Sequence, residues 1–178
     1  YYVGADGAYL RNQKIEVDGK EYYLNAVGKV AKNQWVGDYF IDMNGNVVKN
    51  HWAGNYWCGA DGRYVKSSWV DDGRYYVGPN GVYVTNQWIG DYYLNGAGLV
   101  TKNAWVGNYW CGSDGKYVKS SWVDNNQYYV GANGVYVPGR WVAYGSRWCY
   151  YAGSVYAKDI TLNIGGKAYT FDSNGYMK

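Results

Sequence analysis

The sequence predicts an all-β solenoid of stacked β-hairpins. Three observations carry this: a tryptophan-led repeat along the chain, Asx-Gly pairs at fixed places in each repeat, and aromatics where a globular protein has aliphatics. The 178 residues include 10 Trp and 24 Tyr against 5 Leu, 5 Ile and 2 Phe, which excludes a Leu-led helical core. Twenty-six Gly with only 2 Pro exclude collagen, and 48% hydrophobic content excludes a disordered chain. A net charge of +3 names no partner by itself. There is no run of 18 apolar residues and so no spanning helix. The opening YYVGADGAYL has neither a basic start nor an apolar signal core, so a secretion signal is expected to lie outside this sequence.

The repeat has two levels. Trp35, Trp52, Trp69, Trp88, Trp105, Trp122 and Trp141 open small units at steps of 17, 17, 19, 17, 17 and 19 residues, so three small units make a super-unit of 53. An aromatic anchor follows in each unit, at Tyr1, Tyr22, Tyr39, Tyr56, Tyr75, Tyr92, Tyr109, Tyr128, Trp148 and Tyr169. This frame predicts a single array over 1–178 with ten hairpin units, the outer two partial and 141–178 irregular. A glycine sits six residues after every anchor except Trp148, commonly preceded by Asp or Asn, as at Asp61-Gly62 and Asn133-Gly134. Such pairs supply the positive φ that a tight reversal needs. A second reversal separates opening Trp from anchor, at Asp72-Gly73, Asn125-Asn126, Gly37, Gly54, Gly90 and Gly107. Each unit therefore reads strand, turn, strand, turn.

The strands are rich in Tyr, Trp and Val, as a half-buried pleated surface requires. A lone two-stranded hairpin is marginal in water, so these must stack on one another. Residues repeat best at every third hairpin, which implies about three hairpins per superhelical turn; a gene duplication would leave the same signature. Strand alternation sends an anchor and the residue two beyond it, such as Tyr92 and Leu94, to one face and Tyr93, Trp110 or Tyr129 to the other. The second set is expected to meet ligand.

Units of the form W-x-G-D-Y-Y-L-N-x-x-G-x-V-x-x-N, as at 88–103, resemble the cell-wall-binding repeats of Gram-positive surface proteins, the choline-binding and glucan-binding modules. The resemblance covers essentially the whole chain. It implies a left-handed β-solenoid with shallow ligand sites between neighbouring hairpins, anchoring a larger wall hydrolase, adhesin or transferase. The end units IEVDGKEYYLNAVG and LNIGGKAYTFDSNG are more like the glucan type. Two departures bear on choline. The family's Trp before the Tyr pair is replaced by Asp38, Asn55, Arg74, Asp91, Asn108, Gln127 and Arg147, so one wall of an aromatic box is missing. The family's Met after the glycine gives way to Tyr9, Tyr64, Tyr83, Tyr117 and Tyr136 or to Val30, Val47 and Val100, and only Met177 keeps it.

Flat aromatic faces bind sugar C–H faces or quaternary ammonium groups, and each cation–π contact contributes roughly 0.5–2 kcal/mol. Repeated weak sites gain strength against a polymer by avidity. The candidate contacts are Trp35, Trp52, Trp69, Trp88, Trp105, Trp122 and Trp141, with Trp57, Trp110, Tyr64 and Tyr117 as neighbouring walls. Catalysis has little support. His51, the single histidine, stands where the sister copy has Ala104, and Asp6, Asp18, Asp61, Asp72 and Asp114 all precede Gly and serve turns. The run Asp42-Met43-Asn44-Gly45-Asn46 has the wrong glycine position for a calcium loop and lacks its closing Glu. Cys58 and Cys111 hold the place of Leu94 and Val130, so they read as small apolar core residues, and with Cys149 they are expected to form no disulfide. Scattered positive charges argue against nucleic acid.

The sequence therefore reads as a non-catalytic, extracellular cell-wall module without cofactor, metal or membrane insertion, whose partner is choline-bearing teichoic acid or a glucan. A stalk or self-associating adhesin segment with purely structural aromatics is the alternative.

Overall fold

A computed structural model describes residues 2–178; the Tyr1 anchor lies outside the described residues. The chain divides into two compact units, one ending at Thr85 and taking in Gly96–Leu99, the other formed by Asn86–Asn95 and Val100–Lys178. Among the described residues all regular structure is β, in nine separate antiparallel sheets. The first unit holds β1 (Gln13–Val17) with β2 (Lys20–Leu24) and β3 (Gln34–Val36) with β4 (Tyr39–Ile41). It continues with β5 (His51–Ala53) paired to β6 (Tyr56–Cys58), and β7 (Ser68–Val70) to β8 (Tyr75–Val77).

The second unit holds β9 (Gln87–Ile89) with β10 (Tyr92–Leu94), β11 (Ala104–Val106) with β12 (Tyr109–Cys111), and β13 (Ser121–Val123) with β14 (Tyr128–Val130). A short β15 (Tyr136–Val137) adds to β14. Then come β16 (Gly139–Tyr144), β17 (Arg147–Ala152) and β18 (Val155–Tyr156) in one sheet, and β19 (Ile160–Ile164) with β20 (Lys167–Phe171). The all-β hairpin stack read from the sequence is the fold observed.

Three-residue strands persist because their ends are fixed by residues in unusual backbone conformations. Gly37, Gly54, Gly90 and Gly107 take φ of 57–61° at the first turn position, the requirement of a type II′ hairpin. The longer turns carry Asp71, Asp72 and Gly73, or Asp124, Asn125 and Asn126, all left-handed. At the other reversal the structure differs from the Asx-Gly expectation. Only the glycine is left-handed; the Asx backbone keeps a negative φ and its side chain accepts the N–H two residues on, as Asn80 does from Val82 at 3.1 Å and Asn133 from Val135 at 3.1 Å. A further signal lies two residues before each opening Trp from Trp35 to Trp122. Asn33, Asn50, Ser67, Asn86, Asn103 and Ser120 are all left-handed, and the N–H of Asn50 closes the hairpin mouth on the Gly59 carbonyl at 3.2 Å.

Within each unit, neighbouring hairpins are tied through backbone. Tyr64 donates its N–H to the Asp38 carbonyl at 2.9 Å, Tyr117 to Asp91 at 3.0 Å and Tyr136 to Asn108 at 2.8 Å. Each bond joins one repeat to the hairpin before it. Most hairpins place one fully buried side chain in the core, Leu24, Ile41, Cys58 and Val77 in the first unit and Leu94, Cys111 and Val130 in the second, while the last hairpin places two, Leu162 and Phe171. Cys58, Cys111 and Cys149 are all buried free thiols, and burial raises the pKa of each. With so thin a core, Leu94→Ala is expected to cost about 2–5 kcal/mol in urea denaturation, the range for a buried leucine.

The long β16–β17 hairpin has a simple cause. It keeps Trp141 opposite Tyr150 but adds two pairs, Ala143 with Trp148 and Tyr144 with Arg147, before the Gly145 turn. Cys149, not Trp148, therefore stands at the anchor position. The N–H of Met177 reaches the Trp148 carbonyl at 2.8 Å, as that of Tyr117 reaches Asp91, which fixes the same register independently.

Candidate functional site

The backbone bonds between hairpins decide where the aromatic rings meet. Tyr64 is held against the preceding hairpin, beside Trp35, and the anchor Tyr56 approaches the same indole. Trp35 lies 5.2 Å from Tyr56 and 5.7 Å from Tyr64 between ring centroids, with 5.5 Å between the two tyrosines. The arrangement recurs. Trp52 meets Tyr75 at 5.0 Å and Tyr83 at 5.8 Å; Trp88 meets Tyr109 at 5.5 Å and Tyr117 at 5.7 Å; Trp105 meets Tyr128 at 5.4 Å and Tyr136 at 6.0 Å. In all four trios the planes cross at 66–88°, so the rings form three walls of a cage rather than a stack.

Open clefts lie on these trios. One of about 350 Å³ is lined by Trp35, Gly37, Tyr56, Tyr64 and Asn80; one of about 290 Å³ by Trp88, Gly90, Tyr109, Tyr117 and Asn133. A third of about 220 Å³ is lined by Trp105, Gly107, Asn108, Tyr128 and Tyr136. These volumes lie near or below the lower end of the roughly 300–1,000 Å³ range of drug-sized sites, a scale that suits a small headgroup. Turn glycines leave the mouths open, and every wall ring is half-buried.

The candidate residues sort by geometry. Trp35, Trp52, Trp88, Trp105, Tyr64 and Tyr117 are cage walls. Trp57 and Trp110 stand behind Trp52 and Trp105, edge-on at 5.4 and 5.5 Å within the same hairpin. Trp69 meets Tyr76 at 5.4 Å across its own hairpin. Trp122 meets Tyr129 at 5.2 Å and Tyr150 at 6.1 Å, but the next anchor is Cys149, so that wall has no ring. Trp141 closes down on Tyr150, Tyr169 and Phe171, packing with Met177 against the Ala157, Leu162 and Phe171 cluster.

Sequence reasoning missed Tyr56, Tyr75, Tyr83, Tyr109, Tyr128 and Tyr136. Alternation puts the anchors on the face opposite the set expected to meet ligand, yet their rings reach the tryptophan of the preceding hairpin. Tyr83 and Tyr136 carried a readable signal, since they stand eight residues after an anchor, as Tyr64 and Tyr117 do. These tyrosines supply the wall that the absent Trp removes.

Charged side chains distinguish the cages. The Lys66 ammonium lies over the Tyr64 ring at 4.6 Å and that of Lys119 over Tyr117 at 4.5 Å. The tyrosine hydroxyls raise both lysine pKa values, and the carboxylates of Asp38 and Asp91 respectively add to the effect. The Trp52 indole N–H donates to Asp71 at 3.4 Å and that of Trp105 to Asp124 at 3.1 Å. Arg74 pairs with Asp71 and lies 5.9 Å from the Tyr75 centroid. In the sister repeat Gln127 replaces it and donates to the Tyr128 hydroxyl at 2.8 Å. Among the other carboxylates, that of Asp42 is spent on a turn, accepting from the N–H groups of Asn44 and Asn46, and that of Glu21 pairs with Lys14 and Lys49.

A family model described as a choline-binding repeat matches residues 46–83 and 99–136, spans that contain two of the four cage tryptophans, Trp52 and Trp105, and Tyr64, Tyr83, Tyr117 and Tyr136. A comparison with curated protein sequences returns no match. Among solved structures, the choline-binding domain of CbpL from Streptococcus pneumoniae is 35% identical, with a TM-score of 0.62 over 76% of this chain and 81% of that one. The modular autolysin LytC of the same organism, solved with a synthetic peptidoglycan ligand, is 23% identical with a TM-score of 0.61. All of this chain aligns with 44% of LytC, a likeness of fold. CbpJ from S. pneumoniae TIGR4 is 21% identical with a TM-score of 0.50, over 92% of this chain and 73% of that one. With the repeat model on two of its super-units and a 35% identical choline-binding domain along most of its length, the chain belongs to the choline-binding repeat family of Gram-positive cell-wall-binding proteins.

Proposed function

We propose that this chain is a non-catalytic binding module of the bacterial cell surface that holds choline-bearing wall polymer in three-walled aromatic cages between successive hairpins. The observation that carries the reading is the fourfold recurrence of a Trp–Tyr–Tyr trio with mutually steep ring planes. A trimethylammonium group is nearly spherical and cationic, so it gains from several π faces converging on one point. A sugar ring is flat and gains most from one broad open face, which these cages do not present. Each cage binds weakly, and several engaged by one choline-decorated polymer give avidity well beyond any single site. CbpL, whose domain is described as choline-binding, supports the choice of ligand, and the extracellular location follows from that polymer being in the wall.

Titration of the whole chain with choline chloride, followed by tryptophan fluorescence and thermal melting, is expected to give saturable quenching and a rising melting temperature. The uncharged isostere 3,3-dimethylbutanol should do markedly less. Saturable binding of short glucans without a response to choline would overturn the proposal, and indifference to both would favour a stalk.

A further inference from the structure

We propose that the four cages are unequal and that the Trp105–Tyr128–Tyr136 cage is the strongest site for a quaternary ammonium group, with Asp124 as its specificity-determining residue. This rests on the cation-binding reading above. Every cage has a carboxylate beside it, but in three of them a basic side chain of the protein already occupies the neighbourhood. Lys66 lies over the Tyr64 wall of the Trp35 cage, and Lys119 over the Tyr117 wall of the Trp88 cage. Arg74 is ion-paired with Asp71 and reaches the Tyr75 wall of the Trp52 cage. A resident cation draws on the same ring quadrupole and carboxylate that an incoming ammonium would use, and it repels that ammonium.

The Trp105 cage reverses this at both positions. Pro138 stands two residues after Tyr136, where Lys66 follows Tyr64 and Lys119 follows Tyr117. Gln127 stands where Arg74 does, neutral and turned to the Tyr128 hydroxyl at 2.8 Å. Asp124 keeps its bond to the Trp105 indole N–H at 3.1 Å without an arginine beside it. The aromatic walls are the same in kind and nearly the same in geometry as those of the Trp52 cage, so the difference between the two is electrostatic.

The test follows the indole N–H signals of the intact ¹⁵N-labelled chain by NMR during choline titration, with Trp52 and Trp105 assigned from W52F and W105F. The Trp105 signal is expected to saturate at the lowest choline concentration. Asp124→Asn keeps an acceptor for the indole, and it should weaken that site about 2- to 5-fold, the scale of a single partly exposed charge pair. Gln127→Arg should do the same, and Arg74→Gln should tighten the Trp52 site by a similar factor. Unchanged circular dichroism in all three variants separates these effects from folding. If the cages bind choline with one common affinity, or the charge variants leave the order of saturation unchanged, the ranking is overturned while the choline reading stands. If no indole signal of the unsubstituted chain responds to choline, both fail.

Discussion

Gly134→Ala is expected to destabilise the chain by about 2–5 kcal/mol, combining a left-handed backbone penalty of roughly 1–2 kcal/mol with overpacking of roughly 1–3 kcal/mol. The residue has φ of +79°, and a Cβ there would lie 2.4 Å from Cδ2 of Tyr117 and 3.2 Å from the Val118 carbonyl. Tyr117 cannot retreat without leaving Trp88, so the substitution should also distort that cage. Gly107→Ala is the informative control. Its φ is +57° but nothing lies within 4 Å of the added methyl, so only the backbone penalty should appear. Urea denaturation of both variants checks the difference; equal losses would show that the contact with Tyr117 is unimportant.

Trp88→Ala should have the second large effect, because one indole both packs its hairpin and forms a wall of the proposed site. It removes edge-on contacts to Tyr93 at 5.3 Å, Tyr109 at 5.5 Å and Tyr117 at 5.7 Å. A loss of about 2–4 kcal/mol is expected, somewhat below the range for a fully buried aromatic because the ring is half-exposed. Calorimetric titration should show one choline site fewer with the affinities of the rest retained. Trp88→Phe should recover most of the stability and part of the site, since a smaller π face still contributes a wall.

The fold was legible because its determinants are local. Turn glycines, Asx residues and opening tryptophans recur at fixed spacing, and Cys58 and Cys111 were readable as core because Leu94 occupies their place in a sister hairpin. Two walls of the Trp35 and Trp88 cages and one wall of the Trp52 and Trp105 cages were legible for the same reason. The anchors Tyr56, Tyr75, Tyr109 and Tyr128 were not, because alternation tells which side of a hairpin a ring occupies and says nothing of the neighbour that side faces. The Trp148 frame failed on a related point. Two extra cross-strand pairs in β16 and β17 move the anchor by one residue, and spacing cannot distinguish a longer hairpin from a shifted one.

The carbonyl of Asp91 accepting the amide of Tyr117, and that of Asn108 accepting the amide of Tyr136, means that an aromatic cage here is the property of a junction. A hairpin excised from its neighbours would own fragments of two cages and neither one whole. Lengthening such a protein by duplication therefore adds cages in steps, each seam between old and new sequence creating a fresh one without a single substitution.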